Sequence, residues 1–494
     1  MKKLSFLLAF LLAVSFAFCS CGKEETASSE EEKSTVSVSG AVPEEISAEE
    51  PEESSTDPYE HLRGLDYGEC DVTFLVRDDN NGRYKSVEIL THEENPDIIN
   101  EAIAERNTAV EQLLNCKIKE VRVQNVYSAA IKDINGGGTY DIFMPGMPEA
   151  SNLATQGYLF DLYTFGDVLK LENSYWDQCA NKDFSISNKL YFTVGDSCLL
   201  NFNCSHAIVF NKTVAEKCGA EDPYELLKTG KWTYDALMRN AKLADTKDNG
   251  SASDRIYGFL LNDTYTITLF VGAGESLTEK DSDDVPHMKP VTDRSASVMS
   301  KIREMYHDSS CVQIIENMPK GNDSDIWYAA SRAVGEGRAL FRSLSLIDLP
   351  ELDVYDCNYG LLPTPKFNEE QDDYINIVSG TEDICLCIPV TAPDPERAAA
   401  VMEAFTIAST PTIRRAYYDV MLKNRRIADE EGEYALDIML NNRSYEIATL
   451  YSFGGLGSLI ETCAKSSGDV FASQIEKIRP NAEKAIADLV EKFR

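Results

Sequence analysis

The chain reads DVTFLV at residues 71–76 and KIKEVRV at residues 117–123. The first segment is rich in apolar and β-branched residues, the second alternates charged and apolar residues, and both patterns are typical of β-strands. Between them, apolar residues recur at helical spacing from Ile99 to Leu114, and Asp97 stands where it can cap the start of a helix. The order strand, helix, strand predicts an α/β fold with crossover connections.

A third apolar segment, YDIFM at residues 140–144, predicts another short strand and is broken by Pro145. Open α/β sheets bind their ligands at the carboxyl ends of such strands. Met147 and Glu149, which follow the break, are therefore candidate pocket residues. An ordinary turn after a buried strand is an equally good interpretation of these two residues.

Length and charge set bounds on the rest of the interpretation. The chain has 494 residues, more than a single core usually supports, so two lobes or domains are expected. Its formal net charge is −35, and a field of that sign repels nucleic acid and anionic membrane surfaces. We therefore exclude nucleic acid and anionic lipid as ligands, whereas an uncharged ligand is compatible with this charge.

The amino terminus predicts export from the cytoplasm. The basic start MKK precedes an uncharged, apolar run at residues 4–18, which is typical of a secretory signal. The signal is assigned to residues 1–20 because the small residue before Cys21 resembles a bacterial lipobox, in which the cysteine is lipidated and becomes the mature amino terminus. Cys21 is the predicted lipidation site, and a secreted protein cleaved nearby is the alternative.

Residues 21–66 are predicted to form the lipid anchor and a disordered acidic linker. Between residues 22 and 58 there are twelve acidic residues against Lys23 and Lys33, and no aromatic residue. A segment of this composition cannot bury enough apolar surface to offset the entropy of ordering it. The protein is therefore expected outside the cytoplasm, attached to the cell membrane through this linker.

The chain has 13 cysteines, and none of them forms a C-x-x-C pair. Those that follow Cys21 are scattered, and Cys385 and Cys387 stand at alternate positions of one apolar segment. The pattern predicts buried free thiols rather than a disulfide framework.

Short motifs along the folded part occur in a recognisable order. They are YDI (140–142), GYLFDL (157–162), IVFNK (208–212), GKWTY (230–234), GRALF (337–341), YGLLPTP (359–365) and IP (388–389), followed by a helical segment at 395–408. In their order and spacing they resemble the extracellular solute-binding proteins of ABC transporters, of the carbohydrate-binding, maltose-binding-protein type. Asp394 can cap the helical segment, and Pro395 suits its first position.

The resemblance implies two α/β lobes joined by crossing strands, which is the type II periplasmic-binding-protein-like fold. A ligand is then held in the cleft and enclosed by hinge bending. The chain would leave the first lobe near residues 200–206 and return near residues 375–388. The implied lobes are 67–204 with 376–415, and 205–375 with 416–494.

The same resemblance implies capture of a mono- or oligosaccharide and its delivery to the membrane subunits of an ABC permease by a monomeric protein without a cofactor. The motifs H-E-x-x-H, G-x-S-x-G and G-x-x-x-x-G-K-[ST] are missing from the sequence, which argues against an enzyme. Two alternatives stay open. One is a cell-surface glycoside hydrolase, whose two carboxylates have no fixed spacing, and the other is a non-catalytic lipoprotein that binds a polymer or another protein.

Candidate ligand contacts follow from the resemblance and from sugar chemistry, which needs flat apolar faces for the ring and polar groups for the hydroxyls. Trp176 and Trp327 are candidate stacking residues, with a structural role as the alternative for each. The predicted ligand-binding residues are Arg77, Asp78, Asp79, Met147, Glu149, Trp176, Asn203, His206, Gly274, Glu275, Trp327, Arg342, Tyr451 and Phe453.

Residues 245–250 partly resemble a calcium-binding loop. However, Lys247 stands where an oxygen ligand is needed, and Ile256 stands where the bidentate glutamate belongs. We therefore predict no metal site and interpret the segment as a solvated Asn-Gly turn.

Overall fold

The computed structural model describes residues 57–78, 83–246, 255–380, 382–423 and 429–494. The predicted signal at 1–20, Cys21, most of the predicted linker and the ligand-contact candidate Asp79 lie outside these residues. Within the described part, no helix is both long enough and apolar enough to cross a bilayer.

Strands and helices alternate over the first half of the chain, as the sequence predicts. The strands are β1 (Cys70–Arg77), β2 (Cys116–Val123), β3 (Ile142–Met144), β4 (His206–Asn211), β5 (Tyr257–Leu261), β6 (Thr278–Lys280), β7 (Pro286–Met288), β8 (Val312–Ile314), β9 (Ala339–Ser345), β10 (Tyr359–Leu362), β11 (Asn376–Ile377) and β12 (Arg443–Ser444).

Helices cover the sheets and form most of the carboxyl-terminal part. The α-helices are α1 (Asp97–Leu114), α2 (Val126–Gly136), α3 (Met147–Thr155), α4 (Gln178–Phe184), α5 (Leu199–Asn203), α6 (Lys212–Cys218), α7 (Pro223–Lys228), α8 (Tyr234–Ala244), α9 (Tyr265–Gly272), α10 (Asp293–His307), α11 (Ile326–Gly335), α12 (Pro395–Ser409), α13 (Arg415–Lys423), α14 (Glu430–Asn441), α15 (Ile447–Tyr451), α16 (Leu459–Lys465) and α17 (Phe471–Phe493).

The first lobe is built on a parallel sheet with the strand order β2-β1-β3. Its strands confirm the three predicted from the sequence, although β3 starts at Ile142 and is shorter than the apolar segment. The central strand is buried at Phe74, Leu75 and Val76, because helices cover both faces of a parallel sheet.

Helix α1 connects β1 to β2, and its first residue differs from the prediction. Pro96 takes the cap position, so the prediction that Asp97 caps the helix is wrong by one residue. Asp97 instead lies in the first turn, where a carboxylate interacts favourably with the helix dipole. Asn115 adopts a left-handed conformation with φ 48° and ends the helix just before β2.

The second lobe is built on a mixed sheet with the strand order β10-β4-β9-β5-β8. Strand β4 runs antiparallel to β10 and β9, whereas β5 runs parallel to β8 and β9. The carboxyl ends of β5, β8 and β9 and the amino end of β4 therefore meet at one edge of the sheet. This edge is where an α/β sheet of mixed topology places a ligand.

Crossing segments join the two lobes. Ser205 pairs with Val378 in an isolated bridge, and β11 pairs in parallel with β12. After the crossing, Cys387 pairs with Phe143 of β3, so the returning chain adds to the first sheet. Ser205 falls in the region 200–206 and Val378 in the region 375–388, and the change of lobe at these two regions stays a prediction from the resemblance.

Helix α12 follows the return to the first lobe and confirms the predicted helical segment at 395–408. The Asp394 side chain accepts a hydrogen bond from Arg397 N, as an N-cap does. The Phe405 ring packs on the Phe74 ring of β1 with centroids 5.0 Å apart. The Arg106 guanidinium of α1 lies 3.7 Å from the Phe405 ring centroid, so α12 ties α1 to the sheet.

The carboxyl-terminal segment 416–494, which was predicted to belong to the second lobe, packs against elements of both. Helix α16 lies against α9 and α10 of the second lobe, whereas α15 lies against α3 of the first lobe. The cysteines of the described residues are free thiols, and Cys385 and Cys387 are fully buried.

Candidate ligand-binding cleft

A cavity of about 790 Å³ opens at the edge of the second sheet where β5, β8 and β9 end. Its walls come from the second lobe, from the chain that follows β1 and from the returning crossing segment. We call it the cleft. Its lining residues are Arg83, Tyr84, His206, Asn262, Thr264, Glu316, Ser324, Asp325, Trp327, Tyr328, Ser345, Asp348, Ser379 and Glu382.

Two adjacent aromatic residues, Trp327 and Tyr328, lie in the first turn of α11 and line the cleft. Asp325 caps this helix, and its Oδ1 accepts hydrogen bonds of 2.9 Å from the backbone N–H groups of both aromatic residues. The cap therefore fixes the start of the helix and the direction in which the two rings leave it. The Tyr328 side chain is 44% exposed, so an aromatic face is open to a ligand.

An ion-pair cluster joins the two lobes across the cleft. The Arg83 guanidinium lies 3.2 Å from Asp348 Oδ1, donates a hydrogen bond to Glu351, and stands 5.2 Å from the Tyr328 ring centroid. Arg83 belongs to the first lobe, whereas its three partners belong to the second. The cluster is partly shielded from solvent, so the loss of one of its partners would leave a poorly solvated charge uncompensated.

Beneath this cluster lies Arg342, which was predicted to contact the ligand. Its side chain is fully buried, and it donates to Asp348 Oδ2 at 3.2 Å and to Ser331 Oγ. Ser331 in turn donates to Glu351. Arg342 thus orients the two acids that face Arg83 and takes no place in the cleft itself.

His206, at the start of β4, lines the cleft, and its predicted contact with the ligand stays a prediction. Its ring stacks on the Tyr265 ring with centroids 5.3 Å apart, and Nδ1 shares a hydrogen bond with Thr268 Oγ1. Burial lowers the pKa of His206 to about 4, so the imidazole is neutral at pH 7. A neutral imidazole at this place offers a hydrogen bond to a ligand but no charge.

Asn262 follows β5 directly, and Glu316 lies in the short 3-10 helix Ile315–Asn317 that follows β8. Glu316 Oε1 accepts a hydrogen bond of 2.9 Å from Asp263 N, and Oε2 has no hydrogen-bond partner among the described residues. Burial raises the pKa of Glu316 above its usual value. Asn262 Oδ1 accepts a hydrogen bond of 2.7 Å from Tyr265 N.

Of the predicted ligand contacts, Trp327 and His206 line the cleft, and Arg77 lies one contact away. Arg77 donates to the backbone oxygen of Glu382 at 3.2 Å and to its carboxylate at 3.4 Å. Asp78, in the loop that follows β1, forms an ion pair of 3.5 Å with Arg122 of β2.

Of the other predicted contacts, Trp176 and Met147 are buried in the first lobe, and Glu149 is half-buried there. Trp176 is 1% exposed, and its Nε1 donates to Glu403 at 2.9 Å. Met147 is fully buried at the start of α3, where Glu149 Oε2 accepts a hydrogen bond of 3.1 Å from the Gly146 N–H. These residues serve the packing of the lobe.

Asn203 lies at the hinge, at the end of α5, and accepts a hydrogen bond of 3.1 Å from the Tyr417 hydroxyl. Tyr451 stacks on Phe453, with ring centroids 5.6 Å apart, beside the last helix. Neither the Asn203 pair nor the stacked rings line the cleft.

Gly274 and Glu275 line a different cavity, of about 420 Å³, which we call the second cavity. Glu275 forms ion pairs there with Arg294 at 3.1 Å and with Lys289 at 3.6 Å. The other residues that line it are Lys182, Asp183, Val271, Ser276, Thr278, Glu279, Lys280, Ile375, Ser444, Tyr445, Glu446 and Ile447.

Sequence reasoning missed most of the cleft, including Arg83, Tyr84, Glu316 and Asp348. A signal for Glu316 exists, because it comes shortly after the end of β8, as Met147 comes shortly after the end of β3. Arg83 carries no such signal, because it lies well beyond the end of β1 and reaches the cleft through partners in the other lobe.

In the described residues, no cluster of three or more potential metal-binding side chains is present. Asp245, from the predicted turn, binds Arg255 through a contact of 2.9 Å and accepts a hydrogen bond of 3.1 Å from Gly258 N. The remaining residues of that loop, 247–254, lie outside the described part of the chain.

No protein-family model and no curated protein matches the chain. Its structure is similar to solved structures of sugar-binding proteins. The sugar-binding protein MalE from Xanthomonas citri has a TM-score of 0.57 at 12% identity, over 86% of this chain and 99% of that one.

Two proteins from Listeria monocytogenes are also similar over 86% of this chain, each with a TM-score of 0.51. One is an ABC substrate-binding protein in complex with cycloalternan, at 12% identity over 99% of that chain. The other is the maltose-binding periplasmic protein MalE in complex with maltose, at 15% identity over 97% of that chain. The similarity shows that the chain has the two-lobed, type II periplasmic-binding-protein-like fold.

Proposed function

We propose that this protein is the solute-binding component of an ABC importer and that it captures a mono- or oligosaccharide in the cleft. The observation that supports this most strongly is the cleft itself. It lies at strand ends between the two lobes, and it combines the aromatic residues Trp327 and Tyr328 with carboxylates and amides. Aromatic faces match the C–H surface of a sugar ring, and short polar side chains match its hydroxyls.

In this proposal the protein makes and breaks no covalent bond of the sugar. Tyr84 and Glu382 would contact the sugar from the first lobe and the returning chain, and Trp327, Asp325 and Asn262 would contact it from the second lobe. A ligand that touches both lobes stabilises their closed arrangement over the open one by the difference in its contacts.

The proposal includes the anchor and the partner. Lipidation at Cys21 would hold the protein on the outer face of the cell membrane, and the acidic linker that follows it would let it reach the permease subunits. Glu60–Leu62 form a short helix and Leu62 is fully buried, so the linker would end before them and not at residue 66. The support for this part is the sequence of residues 1–66, and the expected state of the protein is a monomer.

Thermal unfolding of the chain from Thr56 to Arg494, which forms one compact unit, tests the binding function. Neutral mono- and oligosaccharides should raise the midpoint, whereas amino acids and peptides should not. At about a hundred times its dissociation constant, a ligand adds about 2.7 kcal/mol of stability. The sugar should be recovered intact. Release of shortened sugars would identify a glycoside hydrolase, and no response to any sugar would favour a polymer- or protein-binding lipoprotein.

A further inference from the structure

We infer that the cleft ranks its ligands by charge: it binds sugars that carry a protonated amine best, neutral sugars next, and sugars that carry a carboxylate, sulfate or phosphate least. The inference rests on the proposed function and narrows it to a substrate class. Its basis is the balance of charged side chains that face the cleft and the partners that each of them already has.

Carboxylates dominate the charge of the cleft. The described residues that line it include Glu316, Asp325, Asp348 and Glu382, against the single guanidinium of Arg83. The lining residue His206 is neutral at pH 7, because burial lowers its pKa to about 4. A low-dielectric cavity with this balance repels anions and attracts cations.

Arg83 is not available to an anionic ligand. It pairs with Asp348 and Glu351 and stacks on the Tyr328 ring. An anionic sugar would have to replace two carboxylates that are themselves held from below by Arg342 and Ser331. The exchange would take the Arg83 guanidinium away from two acids that are largely shielded from solvent, which is costly.

The basic residues near the cleft are also engaged. Arg77 binds Glu382, and Lys465, whose charge acts on Glu316, binds Asp263 and Glu461.

Two acids of the second lobe keep acceptor capacity beside the aromatic pair. Glu316 Oε2 has no hydrogen-bond partner among the described residues. Asp325 accepts its two capping bonds through Oδ1. A sugar ring stacked on Trp327 would bring a protonated amine towards these acids, and a hydrogen bond from an ammonium to a carboxylate is about twice as strong as one between neutral groups.

Calorimetric titration with β-1,4-linked trimers of glucose, glucosamine and glucuronate tests the inference on the protein from Thr56 to Arg494. At about pH 6 the amine is protonated and the uronate is ionised. We expect the glucosamine trimer to bind about tenfold more tightly than the glucose trimer, with the difference shrinking at about 0.5 M salt. The uronate trimer should bind at least about tenfold more weakly than the glucose trimer.

The variant Glu316→Gln should lower the glucosamine-to-glucose affinity ratio by about threefold to fivefold. Glu304→Gln, on the exposed face of α10 in the same lobe, is the matched control and should keep the ratio unchanged. Equal binding of the three trimers, or tighter binding of the uronate, overturns the inference and leaves the proposed function standing. Failure of every trimer and of the wider sugar panel overturns both.

Discussion

The cleft and the second cavity are both polar, yet they differ in what their polar groups do. In the second cavity the groups bind one another: Glu446 accepts hydrogen bonds from Leu277 N, Ala448 N and the Thr278 hydroxyl, and Lys280 pairs with Asp284 at 3.0 Å. In the cleft, an oxygen of Glu316 has no partner among the described residues.

The aromatic side chains differ in the same way. Tyr445 of the second cavity is 6% exposed and donates to Asp177 at 2.8 Å, whereas Tyr328 of the cleft is 44% exposed. A polar cavity whose groups are satisfied internally supports the fold, and one that keeps unused bonding capacity is prepared for a ligand. The comparison therefore predicts that changes in the second cavity alter stability, while changes in the cleft alter binding.

The largest expected effect is on stability, in the second cavity. Glu446→Ala removes the acceptor of three hydrogen bonds and leaves buried donors unpaired, so we expect a loss of about 3 kcal/mol in the free energy of unfolding, measured by chemical denaturation. Glu279→Ala, at an exposed position of the same cavity, is the control and should cost little. Sugar affinity of the folded Glu446→Ala protein should stay near that of the wild type, and a large loss would contradict the comparison.

The largest expected effect on binding is in the cleft. Trp327→Ala removes an aromatic face, and we expect calorimetry to show the sugar affinity of the folded variant about thirtyfold lower, or about 2 kcal/mol. Tyr434→Ala removes a 43% exposed aromatic side chain of α14 outside the cleft, and sugar affinity should not change. If both variants bind equally well, the cleft is not the sugar site.

The two cavities should also oppose each other in their dependence on pH. Burial raises the pKa of Asp183, in the second cavity, from 3.8 to about 6, so between about pH 4 and 6 the folded protein keeps a proton that the unfolded chain releases. The free energy of unfolding then falls as pH rises. Burial lowers the pKa of His206, in the cleft, from 6.5 to about 4. This residue therefore makes the free energy of unfolding rise with pH over the same interval.

Denaturation at about pH 4 and pH 6 separates the two contributions. Asp183→Asn should remove the fall in the free energy of unfolding between these two pH values, and His206→Gln should remove the rise. Each change should amount to about 1–2 kcal/mol. Asp167→Asn, at an exposed position of the first lobe, is the control. If the two variants changed the pH dependence of the free energy of unfolding with the same sign, the assignment of a protonated Asp183 and a neutral His206 to the folded protein would be contradicted.

The smallest expected effect concerns the contact between the lobes. Arg83→Gln removes the ion pairs with Asp348 and Glu351, so we expect sugar affinity to fall about threefold to fivefold, or about 1 kcal/mol. Scattering should show a larger radius of the sugar-free protein. Arg332→Gln breaks an ion pair of 2.8 Å with Asp323 inside the second lobe and should change neither quantity. An equal effect of both variants would contradict the role of the Arg83 ion pairs in holding the two lobes together.

Elements set by local sequence were predictable. The strands β1 and β2 and the cap of α12 at Asp394 follow from patterns that span a few residues, and the structure confirms them. Even there, the observed cap of α1 differs from the predicted one by one residue, because Pro96 occupies the cap position and Asp97 is the first helical residue.

The site was less predictable, because burial there depends on partners far along the chain. Trp176 and Trp327 look alike in sequence, but Glu403, more than two hundred residues away, accepts a hydrogen bond from Trp176 in the core. The composition of a short segment does not show which of two tryptophans meets a distant acid.

The distribution of tryptophan has a practical consequence. Of the three in the chain, Trp176 and Trp232 are 1% and 0% exposed, and Trp327 lines the cleft. The two buried indoles emit light from surroundings that a ligand does not reach, and they form a constant background. Occupation of the cleft changes the surroundings of the third indole. The protein therefore carries its own fluorescent reporter, and it is a starting point for a label-free optical sensor of the molecule that it binds.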